Sequence, residues 1–179
     1  MTKWDEKYLA GYGAKNPAEP SLINAISAIP PGRALDLACG LGRNGLYLAA
    51  QGWHVTALDS SQVAIDSLPQ TVDAHLVDLE APDFRIALNS YDLICDCYYL
   101  DRNLFPQIRD GVKRGGLFVG VIPMVDEDLT LHPMNPAYLC SSGEFRSYFS
   151  GWEILHDYEG KPGGNASKRK VAELTARKR

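Results

Sequence analysis

Short apolar blocks alternate with stretches of helical periodicity through the first two thirds of the chain. Residues 33–38 (RALDLA) are compact and apolar and stop at a glycine, which predicts a buried strand, and residues 42–51 carry a helical pattern. Residues 54–59 (HVTALD) read as a strand with an acidic end, and 61–68 as a short helix opened by a serine cap. A brief strand is expected at 75–77, a longer one at 91–97, a helix over 104–112 and another buried strand over 116–121. Strands separated by helical segments imply βαβ units and an α/β fold built on a mostly parallel sheet.

The last third has a different rhythm. Residues 122–140 hold Pro123, Pro133 and Pro136 without clear periodicity, which predicts a long loop of the kind that lines or covers binding sites. Ser141 and Glu144 have capping-box spacing, so a helix is expected from there to about Ser150, ended by Gly151. Residues 152–159 and 171–177 read as strands joined by KPGGNAS, and two strands with no helix between them should pair antiparallel. No repeat and no linker is visible, so the expectation is one domain over 1–179. Its parts would be a helical N-terminal cap (1–32), a cofactor-binding core (33–121) and a substrate-side segment (122–179).

Composition narrows the function classes. The 179 residues are 45% hydrophobic and 22% charged, ordinary for a globular protein. The opening MTKWDEKYLAGYG lacks the apolar run of a secretory signal, and no stretch approaches the ~20 apolar residues of a membrane helix. A soluble, cytoplasmic protein is expected. The twelve residues 168–179 carry a net +5, leaving the rest at −9 against a total of −4. Such an acidic body argues against a large nucleic-acid footprint, and the basic end is expected to be solvated. Cys39, Cys95, Cys97 and Cys140 lack C-x-x-C spacing, which predicts free structural thiols and no metal site. His54, His75 and His156 fall within strands and are expected to serve structure.

The chemistry concentrates in residues 34–61, ALDLACGLGRNGLYLAAQGWHVTALDSS. Gly40, Gly42 and Gly45 form a G-x-G-x-x-G between a strand and a helix, which lets backbone turn tightly and approach a ligand closely. Glycines alone suit a dinucleotide as well as an adenosyl ligand. Asp59 ends the second strand, 17 residues after Gly42, where a carboxylate can accept both hydroxyls of a ribose; the plainer reading is a helix cap. Asp36 lies inside the first strand, four residues before Gly40, where burial is costly unless a cation or amide donors meet it. An α-ammonium group, reached directly or through water and amides, is such a partner; a carboxylate holding loop amides is the alternative. Asp78 follows Asp59 by 19 residues and could accept from an adenine amino group, with Leu79 offering its backbone amide.

At this point the chain resembles a family. Asp36-Leu-Ala-Cys-Gly-Leu-Gly-Arg-Asn resembles motif I of the class I S-adenosylmethionine-dependent methyltransferases, and VTALDSS their second acidic motif. YDLICDCYYLDR is similar to their fourth strand, and RDGVKRGGLFVGV to their following helix, glycine turn and fifth strand. WDEKY, Arg43-Asn44 and GWEILHDYEG point to the small bacterial subgroup that includes the tellurite-resistance, TehB-like, enzymes. The resemblance implies a Rossmann-like seven-stranded sheet with helices on both faces and a reversed final hairpin. It implies S-adenosyl-L-methionine as cofactor and S-adenosyl-L-homocysteine as product. Ala38, Cys39, Gly40 and Gly42 would run along the methionine portion, with Arg43 and Asn44 at the helix start. Asp59 and Ser60 would lie at the ribose, Asp78 and Leu79 at the adenine, and Asp96 and Cys97 at the fourth strand end beside the cofactor. Tyr8 would fold over it.

Where many nitrogen methylators carry an Asn-Pro-Pro-Tyr type motif, this chain has Asp96-Cys97-Tyr98-Tyr99. That departure favours a small nucleophilic acceptor: a thiol, a chalcogen oxyanion or a hydroxyl. Tyr98, Tyr99, Asp101 and Arg102 are the candidates near the methyl group, with His132 a further possible base. Met124, Met134 and Tyr138 are candidates for an acceptor wall. A nicotinamide-dependent oxidoreductase and a non-catalytic cofactor-binding module remain alternatives, and a monomer or homodimer is expected.

Overall fold

The computed structural model describes residues 2–27, 29–128, 131–164 and 168–179. Seven strands form one sheet: β1 (Arg33–Leu37), β2 (His54–Asp59), β3 (Asp73–Leu76), β4 (Tyr91–Cys97), β5 (Val112–Pro123), β6 (Glu153–Gly160) and β7 (Val171–Arg177). Their order is β3-β2-β1-β4-β5-β7-β6. The first five are mutually parallel, while β7 runs antiparallel to both β5 and β6. The chain reverses its direction of winding between β3 and β4, so β1 and β4 are neighbours. In an open α/β sheet such a switch point leaves a crevice at the carboxyl ends of the strands.

Helices α1 (Lys3–Leu9) and α2 (Pro20–Ile26) precede the sheet; α3 (Arg43–Ala50), α4 (Gln62–Asp66), α5 (Leu104–Gly111) and α6 (Glu144–Ser147) connect its strands. One face buries Leu22 of α2 and Leu48 of α3 with Trp53, Val55, Leu93 and Val119. The other buries Leu104, Phe105 and Ile108 of α5 with Ile94, Phe118, Phe145 and Phe149. The Phe118 and Phe149 rings stack with centroids 4.3 Å apart. Each such side chain contributes about 1.5–3 kcal/mol by leaving water.

Three local expectations are corrected. Residues 122–140 are only partly loop: β5 continues through Pro123, Met124 bridges to Cys140, and Pro136–Tyr138 forms a 3-10 turn. The anticipated long helix after Ser141 is the single turn α6, capped by Gly143 in a left-handed conformation (φ 73°). Half of the capping box forms, Ser141 N donating to Glu144 Oε2 at 2.9 Å, but Glu144 is also drawn to Arg102. The third strand lies at Asp73–Leu76, earlier than expected, so Asp78 stands two residues beyond its end. The expected 161–167 connection includes residues 165–167, which lie outside the described residues.

The basic end is not a solvated tail. Residues 171–177 are β7, flanked by strands on both sides, and Lys178 Nζ donates to the Arg109 and Val112 carbonyls, the latter at 2.7 Å. Among the described residues, no helix is long and apolar enough to cross a membrane.

Candidate active site

The loop leaving β1 combines three left-handed residues, Ala38 (φ 50°), Gly40 (φ 54°) and Gly42 (φ 78°), before α3 begins. Gly42 is required by its dihedral angle; a β-carbon there would first meet the movable end of the Leu68 side chain. Two buried carboxylates hold the loop. Asp59 Oδ2 accepts from Gly40 N at 2.8 Å while Oδ1 accepts from Ser61 N at 2.9 Å. Asp36 Oδ2 accepts from Gly45 N at 3.0 Å, and its Oδ1 accepts from the Cys95 thiol at 3.2 Å. Hydrogen bonds to a charged group contribute about 1.5–3 kcal/mol each, so the Gly40 and Gly45 bonds hold the loop firmly to β2 and β1. Burial pushes the Asp36 carboxyl up to about 6 and raises that of Asp59 as well. Asp36 thus ties strand to helix, as in the structural role weighed beside the ligand role.

The N-terminal helix lies over this loop. Thr2 and Asp5 form a reciprocal capping box on α1, and Asp5 Oδ1 also accepts from the Ser61 hydroxyl and, at 3.3 Å, from Val63 N. The Ser61 hydrogen bond, foremost, holds the Asp5 carboxyl down at about 2. Tyr8 Oη stands 2.9 Å from where a β-carbon of Gly40 would be, which puts the expected covering residue against the loop. Arg43 and Asn44 stand at the start of α3, as expected. Arg43 ion-pairs with Glu19 at 2.7 Å and donates to the Pro17 carbonyl at 3.1 Å, while Asn44 Oδ1 accepts from Glu19 N at 2.9 Å. Both strap residues 17–19 to the start of α3. Nothing in the residue types around Glu19 signals that strap, whereas the Thr2-x-x-Asp5 spacing is a legible capping box.

Beyond β2, Ser60 is exposed and adjacent to Asp59. Exposed Asp78 accepts from Glu80 N at 3.0 Å, a turn-capping contact, and the Leu79 side chain is buried in the core beside it. Asp96, at the end of β4, is fully buried, and neither carboxylate oxygen has a hydrogen-bond partner among the described residues. Burial, then the neighbouring Asp36 and Asp101 charges, raise its proton affinity far above that of an ordinary carboxylate. Cys97 follows, half-buried on the opposite face, its thiol likewise pushed up by burial.

The four candidates after β4 divide. Tyr98 adopts φ 69°, is 47% exposed, and lays its ring 5.3 Å from the Arg43 guanidinium. Burial and then Glu19 raise its phenol to about 12. The Tyr99 hydroxyl donates to Glu80 at 3.3 Å. Asp101 accepts from Asn103 N at 2.9 Å, capping the turn into α5. Arg102 is turned away from an acceptor role: it pairs with Glu144 at 2.6 Å and donates to the carbonyls of Ala137 at 2.9 Å and Leu139 at 3.2 Å. Of the proposed wall, Met134 and Tyr138 are exposed, but Met124 is buried in the core and cannot line an open site. His132 is exposed, and its carbonyl accepts from Arg169 at 2.8 Å. His54, His75 and His156 lie in β2, β3 and β6, with side chains exposed. No group of three or more metal-type ligands converges among the described residues.

Residues 2–168 match the family model described as tellurite resistance protein TehB. The chain belongs to the TehB family. A TehB of Haemophilus influenzae, named a probable S-adenosyl-L-methionine-dependent methyltransferase, is 29% identical over 88% of this chain. The chain spans 61% of that relative's length. The crystal structure of H. influenzae TehB superposes with a TM-score of 0.78 at 26% identity, covering 98% of this chain and 67% of that one. A Burkholderia thailandensis N-methyltransferase crystallised with S-adenosylhomocysteine shares the fold (TM-score 0.68, 18% identity, covering 97% of this chain and 84% of that one). The TehB-like resemblance and the seven-stranded Rossmann-like expectation are thus borne out.

Proposed function

We propose that this TehB-family chain binds S-adenosylmethionine in the crevice at the carboxyl edge of β1, β2 and β4 and transfers its methyl group to a small nucleophile. A thiol, a chalcogen oxyanion or a hydroxyl fits the reading. The observation that carries it is Asp59: a buried carboxylate at the end of β2, bonded to the Gly40 amide and one residue from exposed Ser60. Each of its oxygens has a second lone pair, and a ribose diol uses such a pair of acceptors. The glycine loop brings backbone rather than side chains towards the ligand, and Tyr8 covers it.

When bound, the sulfonium supplies an already activated methyl group. The protein's task is then to hold donor and acceptor in line and to exclude water, worth up to about 7–11 kcal/mol when the geometry is good. Asp59 and Asp78 orient the nucleoside, Asp36 keeps the loop in shape, and α1 shields the crevice. Tyr98 and Tyr99 keep their protons at neutral pH, so they serve as hydrogen-bond donors to an acceptor and not as bases. An acidic crevice also repels the pyrophosphate of a nicotinamide dinucleotide, which favours the cationic ligand.

Calorimetry tests the reading. Stoichiometric binding of S-adenosylmethionine is expected, and Asp59→Ala should weaken it at least about 100-fold by removing the diol acceptors. Binding of NAD or NADP instead would refute the proposal. A labelled-methyl screen over thiols, selenite, tellurite and hydroxyl compounds then separates an enzyme from a binding module.

A further inference from the structure

Asp96 stands apart from the other acidic residues of the crevice. Asp36, Asp59, Asp78 and Asp101 all accept protein hydrogen bonds. Asp96 accepts none, yet it is fully enclosed. The Tyr99 amide lies close enough to lower its proton affinity slightly but not in hydrogen-bonding geometry. A bare carboxylate in such a place costs several kcal/mol, so the group is neutral unless a positive charge comes to it.

Its surroundings supply no such charge. Asp36 from β1, Asp101 and Tyr99 from the segment after β4, and the thiols of Cys95 and Cys97 are the titratable groups that act on it. Asp36 and Asp101 both oppose its ionisation. No cationic side chain pairs with it among the described residues. Its place in the sheet is beside the switch point: Asp96, near the carboxyl end of β4, pairs with Leu37 of β1, the residue directly before the loop of Ala38 and Gly40, and with Gly120 of β5.

We propose that Asp96 distinguishes sulfonium from thioether: its carboxyl is neutral in the free protein, yields its proton to solvent when the cationic cofactor occupies the crevice, and keeps it when the uncharged product does. This rests on the cofactor assignment above. The two ligands share adenosine and the amino-acid end, so Asp59 and Asp78 meet the same groups in both. Only the sulfur differs in charge. A carboxylate formed beside a sulfonium gains an ion pair of low dielectric, and the product forfeits it. The device would therefore favour donor over spent product.

The measurement is isothermal titration calorimetry of the full chain with S-adenosylmethionine and with S-adenosylhomocysteine, each in two buffers of different ionisation enthalpy. On the order of one more proton should be released with the sulfonium than with the thioether, and affinity for the former should rise by up to about tenfold per pH unit wherever the free carboxyl holds its proton and the bound one does not. Asp96→Asn, a neutral isostere, should bind both ligands, abolish the difference in proton release and flatten the pH dependence. Equal proton release with both ligands would overturn the proposal, pointing to the shared ammonium or ribose as the cause. So would unchanged sulfonium-specific release in a folded Asp96→Asn protein. If that variant fails to fold, the wild-type difference between the two ligands still decides. Tight binding without proton release would sink this inference alone, whereas no binding of either ligand would sink the cofactor assignment with it.

Discussion

Two carboxylates of the same type show how much environment decides at the scale of single residues. Asp36 and Asp96 both sit inside strands and both resist ionisation, but Asp36 is bonded on each oxygen and Asp96 on neither. The sequence pattern puts Asp36 inside the first strand and Asp96 at the end of the fourth but does not say which is bonded, because hydrogen-bond satisfaction depends on partners such as Cys95 that come from other strands. Asp36 makes a testable statement about pH. Its carboxyl is raised to about 6 in the folded protein from the ordinary 3.8, so the native state holds its proton over a range where the unfolded chain has lost it. Stability must then fall as pH rises from about 4 to about 6 and level off above, on the order of 1–3 kcal/mol for this group. Urea denaturation of Asp36→Asn across that window should show a correspondingly smaller decline than the wild type; parallel curves would mean the carboxyl is not buried as described.

At the scale of elements, the sequence disclosed the βαβ core well and the appendages poorly. Residues 171–177 were legible as a strand because apolar positions alternate there; α6 was overestimated because Glu144 is shared between the Ser141 amide and Arg102. That sharing makes Arg102 the organiser of the segment leading into α6. Arg102→Ala removes an ion pair and two carbonyl contacts, and amide hydrogen exchange over residues 137–144 should quicken about 10-fold or more, as expected when a loop loses its anchoring bonds. Cofactor affinity should change little, because none of these contacts touches the glycine loop. The opposite pattern is expected for α1. Asp5→Ala detaches the helix from the start of α4, so proteolysis within the first thirty or so residues should accelerate and affinity for the adenosyl ligand should drop roughly three- to tenfold, the scale of a lost covering element. Affinity unchanged with rapid proteolysis would show that α1 merely packs there.

For the whole molecule, charge is distributed less simply than its total of −4 suggests. The basic stretch is threaded through the sheet: Arg177 reaches Glu153 at 3.4 Å, Lys170 N donates to Asp126 at 2.8 Å, and Lys161 closes on Asp126 at 2.9 Å. These contacts bind β6, β7 and the segment after β5 into one unit. The strand order carries a kinetic implication. β6 is synthesised before β7, yet β7 is the strand that stands between it and β5. Until β7 inserts, β5 presents an unpaired edge over Leu117–Pro123 and β6 has nothing to lie against. A nascent or partly unfolded chain therefore offers neighbouring copies an open β-template, and self-association during refolding should begin at that edge.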